Sequence, residues 1–216
     1  MNQEPAMSQK TTMKRVFLLR HAKTLGPAAL NGSTDIAVAE EVQDELAQLL
    51  NSHGFTHIIT SPLRRCADLA HKLQALNPSL TVAIESDFRE MHFGEFDGQP
   101  FDALAPHWAM LEAFWQSPAE HPLPGAERLD ECYQRVTQAW QRRLPSCPDN
   151  TLIITHGGTI RLLLAHVLHT DWRNPRWYSS LAIGNQTLTQ LNIFPAPTPF
   201  VSVRNIGIEL KDKPLN

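Results

Sequence analysis

The sequence predicts a three-layer α/β/α sandwich built on a mostly parallel central sheet. Two observations carry this expectation. Apolar runs of strand length alternate with segments of helical period from near the N-terminus. Two of those runs also end in polar residues that a buried sheet does not need, Arg20-His21 and His156-Gly157-Gly158.

The elements follow in order. Residues 16–19 and their flanks read as a fully buried strand ending at Arg20 and His21. Val42, Leu46, Leu49 and Leu50 share one face of a helix that Gly54 stops. Residues 57–60 form a second strand. Ser61 and Pro62 suit the N-cap and first position of a helix to about Leu76, with Leu63, Cys66, Ala70 and Leu73 buried. Residues 80–84 are a third short strand. The stretch 88–125, rich in Gly, Pro and aromatics, predicts only short helices. Leu129, Cys132, Val136 and Trp140 mark a helix ending before Pro145. Residues 151–155 are another buried strand, and the glycine pair leads into a helix over 159–169. Residues 187–194 and 201–210 are late strands joined by a proline-rich turn. In the second, the alternation changes phase near Arg204 and Asn205, the signature of a bulge.

The 216 residues suit one domain over 13–216 behind a polar tail over 1–12. A formal net charge of -3 gives no global basic field to gather nucleic acid or anionic lipid. No apolar run is long enough to span a bilayer, and the tail lacks the apolar centre of a secretion signal. Cys66, Cys132 and Cys147 are odd in number and lack metal-ligand spacing, which favours a reducing cytoplasm. The expected partner is a small molecule, without nucleic acid or membrane, and no metal or other cofactor is expected.

Ligands collect at the carboxyl ends of strands in open α/β sheets, where both histidine runs fall. A glycine pair opening a helix presents free N–H groups to phosphate. Taken singly, each histidine reads as a hydrogen-bonded strand-end residue. Four ordered blocks change that reading. Arg20-His21-Ala22-Lys23-Thr24, Ser61-Pro62-Leu63-Arg64-Arg65-Cys66, the run 90–98 opening on Glu90, and Ile153-Ile154-Thr155-His156-Gly157-Gly158 together resemble the histidine phosphatase superfamily, phosphoglycerate mutase-like branch.

The resemblance implies that His21 is a nucleophile attacking phosphorus as neutral imidazole, its other ring nitrogen tied to an acceptor. It implies that Arg20 and Arg65 clamp the phosphate with planar forks, and that His156 donates to a phosphate oxygen, as imidazolium. Glu90 would protonate the departing alkoxide and then take a proton from water. Thr24 and Gly157 would lie beside the phosphate. Helical periodicity puts neither Arg64 nor Arg65 on the apolar face; the family pattern selects Arg65. Glu127 falls where the family often has Gly-Glu-Ser, and reads equally well as an acid favouring a helix N-terminus.

Ala22 replaces a family glycine, Pro27 stands where mutase-like members have a phosphate-binding Asn, and Glu41-Val42 replaces a later glycine. These departures count against mutase activity. The segment 30–35 and the Gly26-Pro27 turn are similar to α-ribazole phosphatases, which makes α-ribazole 5′-phosphate the expected substrate. The alternatives are a broad sugar phosphate or phosphoglycerate phosphatase, a mutase, and a non-catalytic phosphate-binding module. The aromatics Phe101, Trp108, Phe114 and Trp115 read as a pocket wall or as core.

Overall fold

The computed structural model describes residues 12–210, so the tail expected over 1–12 lies, Thr12 apart, outside the described residues. The apolar run at the N-terminus forms β1 (Lys14–Arg20), followed by α1 (Glu40–Asn51), β2 (His57–Thr60), α2 (Arg64–Leu76) and β3 (Thr81–Ile84). The middle stretch holds short 3-10 turns and a nine-residue helix, α3 (Trp108–Gln116). Then come α4 (Leu129–Arg143), β4 (Thr151–Thr155), α5 (Gly157–Val167), α6 (Pro175–Ser180), β5 (Thr187–Phe194) and β6 (Phe200–Glu209).

The strands make one sheet in the order β3-β2-β4-β1-β5-β6. The first four are mutually parallel and the last two antiparallel. Alternation along β1 explains the three layers. Phe17 and Leu19 pack with Leu46, Leu50, Leu69 and Leu73 of α1 and α2. Val16 and Leu18 pack on the opposite face with Val136, Trp140, Ile160 and Leu163 of α4 and α5. β4 is buried along its whole length, as expected of a strand covered on both faces.

Two helix starts differ from expectation. Helix α2 begins at Arg64, with Leu63 at the cap and no side-chain cap bond. Ser61 is drawn away because its hydroxyl meets His156 Nε2 at 2.7 Å. Helix α5 begins at Gly157, two residues early, because a glycine pair can enter the helix without a side chain meeting Arg20 or Glu90. The phase change near Asn205 is a register irregularity, opposite Gln190 of β5.

Candidate active site

Register alone brings the two histidines together. Arg20 is paired with Thr155 across the β1–β4 ladder, so His21 and His156 are the next residues out at neighbouring carboxyl ends. The His21 amide donates to Thr155 O at 3.0 Å, and the two rings meet edge to face with centroids 5.1 Å apart. Ser61 leaves β2 on the other side of β4 and completes the row.

His21 Nδ1 lies 2.7 Å from its neighbour's carbonyl, Ala22 O. A carbonyl only accepts, so Nδ1 carries the proton and Nε2 keeps its lone pair. Burial pushes the imidazole down to about 3, and the charges of Arg65 and Arg20 push the same way. Asn185 Nδ2 donates to His21 O at 2.8 Å and holds the residue from the far side.

Arg65 and His156 sit differently from the expected clamp. Arg65 is fully buried, contrary to the helical-period reading. Its Nη2 donates to Asn31 O and Gly32 O, its Nη1 to Thr34 O, and its Nε to His156 Nδ1. Four of its five N–H groups are therefore engaged, leaving one on Nη1. His156 accepts at Nδ1 and donates from Nε2 to Ser61, which makes it the neutral Nε2–H tautomer. Burial, reinforced by Arg65, holds it well below the usual histidine range. The expected imidazolium is thus replaced by a neutral ring whose two nitrogens both have protein partners.

Within the segment 30–35, Leu30 and Asn31 line the cavity above the histidines, and residues 32–35 are scaffold. A Cβ on Gly32 would collide with Met91 O, Thr34 donates to Asp97, and Asp35 Oδ1 accepts the Arg64 amide at 2.7 Å. Asp97 also accepts from the Ser33 and Phe93 amides, and these bonds hold its carboxyl below the usual range against the effect of burial. These bonds tie the loop after β1 to the loop carrying Glu90.

Glu90 is held at both ends. Its Oε2 accepts the Gly158 amide and its Oε1 the Met91 amide, each at 3.1 Å. Arg135, on α4, is the frame behind it: its guanidinium donates to Asp87 O, Arg89 O and Glu90 O. The same guanidinium forms a fork-to-fork pair with Glu127 at 2.5 and 2.8 Å. Glu127 also accepts the His92 amide at 3.3 Å. Its carboxyl lies below the usual range, because these bonds outweigh burial. Its part is to brace the Glu90 segment.

Above the histidines opens a cavity of about 680 Å³. Arg20, His21, Thr24, Glu90 and Gly157 line it, whereas Arg65 and His156 stand behind the wall. Phe93, Phe101, Phe114 and Trp115 form an aromatic side, while Trp108 is exposed and outside the lining. Arg20 Nη1 is held by Ile183 O at 2.5 Å, and its buried Nε has no protein partner among the described residues. Arg161, from α5, also lines the cavity.

Residues 16–205 match the family described as histidine phosphatase superfamily (branch 1). The chain belongs to that superfamily. A Hydrogenobacter thermophilus protein named "Putative phosphoserine phosphatase 2" is 32% identical over 164 residues, covering 70% of this chain and 77% of its own. "Probable phosphoglycerate mutase GpmB" of Yersinia enterocolitica is 30% identical over 200 residues, covering 86% and 87%. Among solved structures, the α-ribazole phosphatase of Shigella flexneri superposes with a TM-score of 0.72 at 22% identity, over 90% of this chain and 96% of that one. That likeness shows the fold. As a branch 1 histidine phosphatase the chain is an enzyme of phosphatase type, and the expected α/β sandwich is the fold it adopts.

Sequence reading missed Arg135 and Arg161 in this histidine phosphatase. Arg135 follows Cys132 by three residues on α4, so period alone placed it beside the buried face without naming its carbonyl partners. Arg161 follows Gly157 by four, one turn into α5, a spacing that returns a side chain to the face of the helix start.

Proposed function

We propose that this histidine phosphatase hydrolyses a small phosphate monoester through a covalent phosphohistidine on His21. One observation carries the reading: a neutral, buried imidazole whose Nδ1 is tied to Ala22 O and whose Nε2 lone pair is left for attack. Arg20 supplies a permanent positive charge to the phosphate oxygens, and Arg65 adds its remaining N–H and its field from behind. Thr24 and the Gly157 end of α5 border the same space. Glu90 faces the leaving oxygen, gives it a proton, then takes one from the water that cleaves the phosphohistidine. His156 holds Arg65 and meets His21 edge to face, a positioning part in place of direct donation.

Two leaving groups suit the cavity. The aromatic side, Phe93, Phe101, Phe114 and Trp115, favours the flat base of α-ribazole 5′-phosphate, and Gly26, Pro27, Leu30 and Asn31 line the same cavity. The second is a phosphorylated small acid, favoured by the names of the two relatives, phosphoserine phosphatase and phosphoglycerate mutase.

The mechanism is tested by acid-free quenching after mixing with 32P-labelled substrate. Wild type should carry acid-labile, base-stable label, and His21→Ala none. Label on serine or cysteine, or label persisting in His21→Ala, defeats the proposal.

A further inference from the structure

The aromatic side of the cavity continues onto the surface. Trp115 belongs to both, since it lines the cavity and is 38% exposed. Its ring meets Phe101, another lining residue, edge to face at 5.9 Å. It also meets Trp108 edge to face at 5.4 Å, and Trp108 is 44% exposed and outside the lining. Phe101, Trp115 and Trp108 therefore form a row of rings that runs from the cavity into solvent. The Trp108 indole gives its single N–H to Glu112 Oε1 at 3.0 Å, one turn along α3, so its ring faces stay apolar.

A second apolar bank belongs to the loop after β1. Residues 26–30 line the cavity, and residues 25–30 carry no charged or hydrogen-bonding side chain. Residues 25–28 are exposed, Leu25 to 51%. The two banks are joined, because the Phe101 amide donates to Ala28 O at 3.1 Å and Ala29 bridges Pro100. Single exposed apolar side chains are ordinary on a protein surface. An exposed apolar strip that runs unbroken into a reaction cavity instead marks a place for an apolar ligand. A flat base stacked on Phe101 and Trp115 leaves Trp108 and Leu25 in water. A chain that starts at the ester oxygen covers the same rings and reaches the outer residues as well.

We infer that the leaving alcohol carries an extended apolar chain, whose far end lies across Trp108 and Leu25 at the cavity mouth. The substrate class is the phosphate monoester of a long-chain alcohol, an amphiphile with its phosphate at the His21 end. The inference rests on the phosphatase reading above and adds the outer end of the leaving group to it. Each methylene taken wholly out of water strengthens binding by roughly three- to fourfold, and a half-open mouth gives less. A chain of several methylenes therefore changes kcat/KM by orders of magnitude without any added charge.

The test is a series of n-alkyl phosphates from butyl to decyl, kept below micelle-forming concentrations, with wild type, Trp108→Ala and Trp108→Phe. In wild type kcat/KM should rise by roughly twofold or more for each added methylene, up to decyl. Trp108→Ala should lower the decyl-to-butyl ratio by roughly fivefold or more, and Trp108→Phe should restore most of it, with all three melting alike. A series that is flat from butyl to decyl, or a ratio that Trp108→Ala leaves alone, overturns the chain site. So does 1-naphthyl phosphate matching decyl phosphate in wild type and losing as much as decyl in Trp108→Ala, since a flat group then suffices. The matching n-alkylphosphonates, which have no ester bond to break, are titrated calorimetrically into wild type and Trp108→Ala. Their affinity should climb with chain length, and less steeply in the variant; equal affinity along the series overturns the site whatever turnover shows. Failure to turn over any ester, with phosphonate affinity still climbing, supports the chain site and counts against the phosphatase reading alone.

Discussion

At His21, the proposed nucleophilicity and a contribution to stability both follow from a ring that is buried and neutral. Its ordinary value of 6.5 falls to about 3 in the folded chain. Below pH 6.5 the unfolded chain therefore binds a proton that the folded chain refuses, so stability falls as pH drops from about 6.5 towards 3. His21 alone accounts for about 2 kcal/mol of the stability lost between pH 7 and pH 5. Urea titrations at those two pH values should show a smaller acid loss in His21→Ala than in wild type, by about that amount. Parallel pH curves for the two proteins would count against a neutral nucleophile. In the sequence His21 stood out only through four ordered blocks, because a histidine ending a buried strand is by itself an ordinary strand-end residue. The engagement of Arg65 was not legible. Its partners are carbonyls more than thirty residues earlier, and nothing in the local spacing announces them.

At the scale of elements, the start of α5 carries the most consequence. Gly158 gives its amide to Glu90 Oε2, and a Cβ there would collide with Glu90 Oε1. The obstructing atom is the tip of a flexible side chain, so Gly158→Ala should fold and instead displace the carboxylate. A general acid matters most for a basic leaving group. Gly158→Ala should therefore lower kcat on an alkyl phosphate by roughly ten- to hundredfold and on p-nitrophenyl phosphate much less. Equal losses on both, with an unchanged melting temperature, would give Glu90 a purely binding part. The strands and long helices around this point were readable from apolar period, and even the irregularity near Asn205 was announced by the change of phase. The stretch that carries Glu90 was not readable as structure. It is held by Arg135, Asp97 and Glu127 bonding to backbone groups, and such bonds leave no periodic trace.

Over the whole molecule, the proposed mechanism divides chemistry and selection between the sheet and the middle stretch. The carboxyl ends of β1, β2 and β4 supply His21, Ser61 and His156, while the residues between β3 and α4 bring Glu90 and the aromatic side. The cavity of about 680 Å³ is larger than a three-carbon phosphate ester needs. The space beyond such an ester lies against Phe101 and Trp115, whose rings meet edge to face at 5.9 Å. Trp115 is 38% exposed, so its truncation opens the wall with little loss of core. Stacking on such a ring is worth about 1–3 kcal/mol, or roughly five- to hundredfold in kcat/KM. Trp115→Ala should lose that much on α-ribazole 5′-phosphate and on 1-naphthyl phosphate while losing little on 3-phosphoglycerate. Were Trp115→Ala to slow all three esters alike, the aromatic side would be a support for α3 and not a surface that meets the substrate.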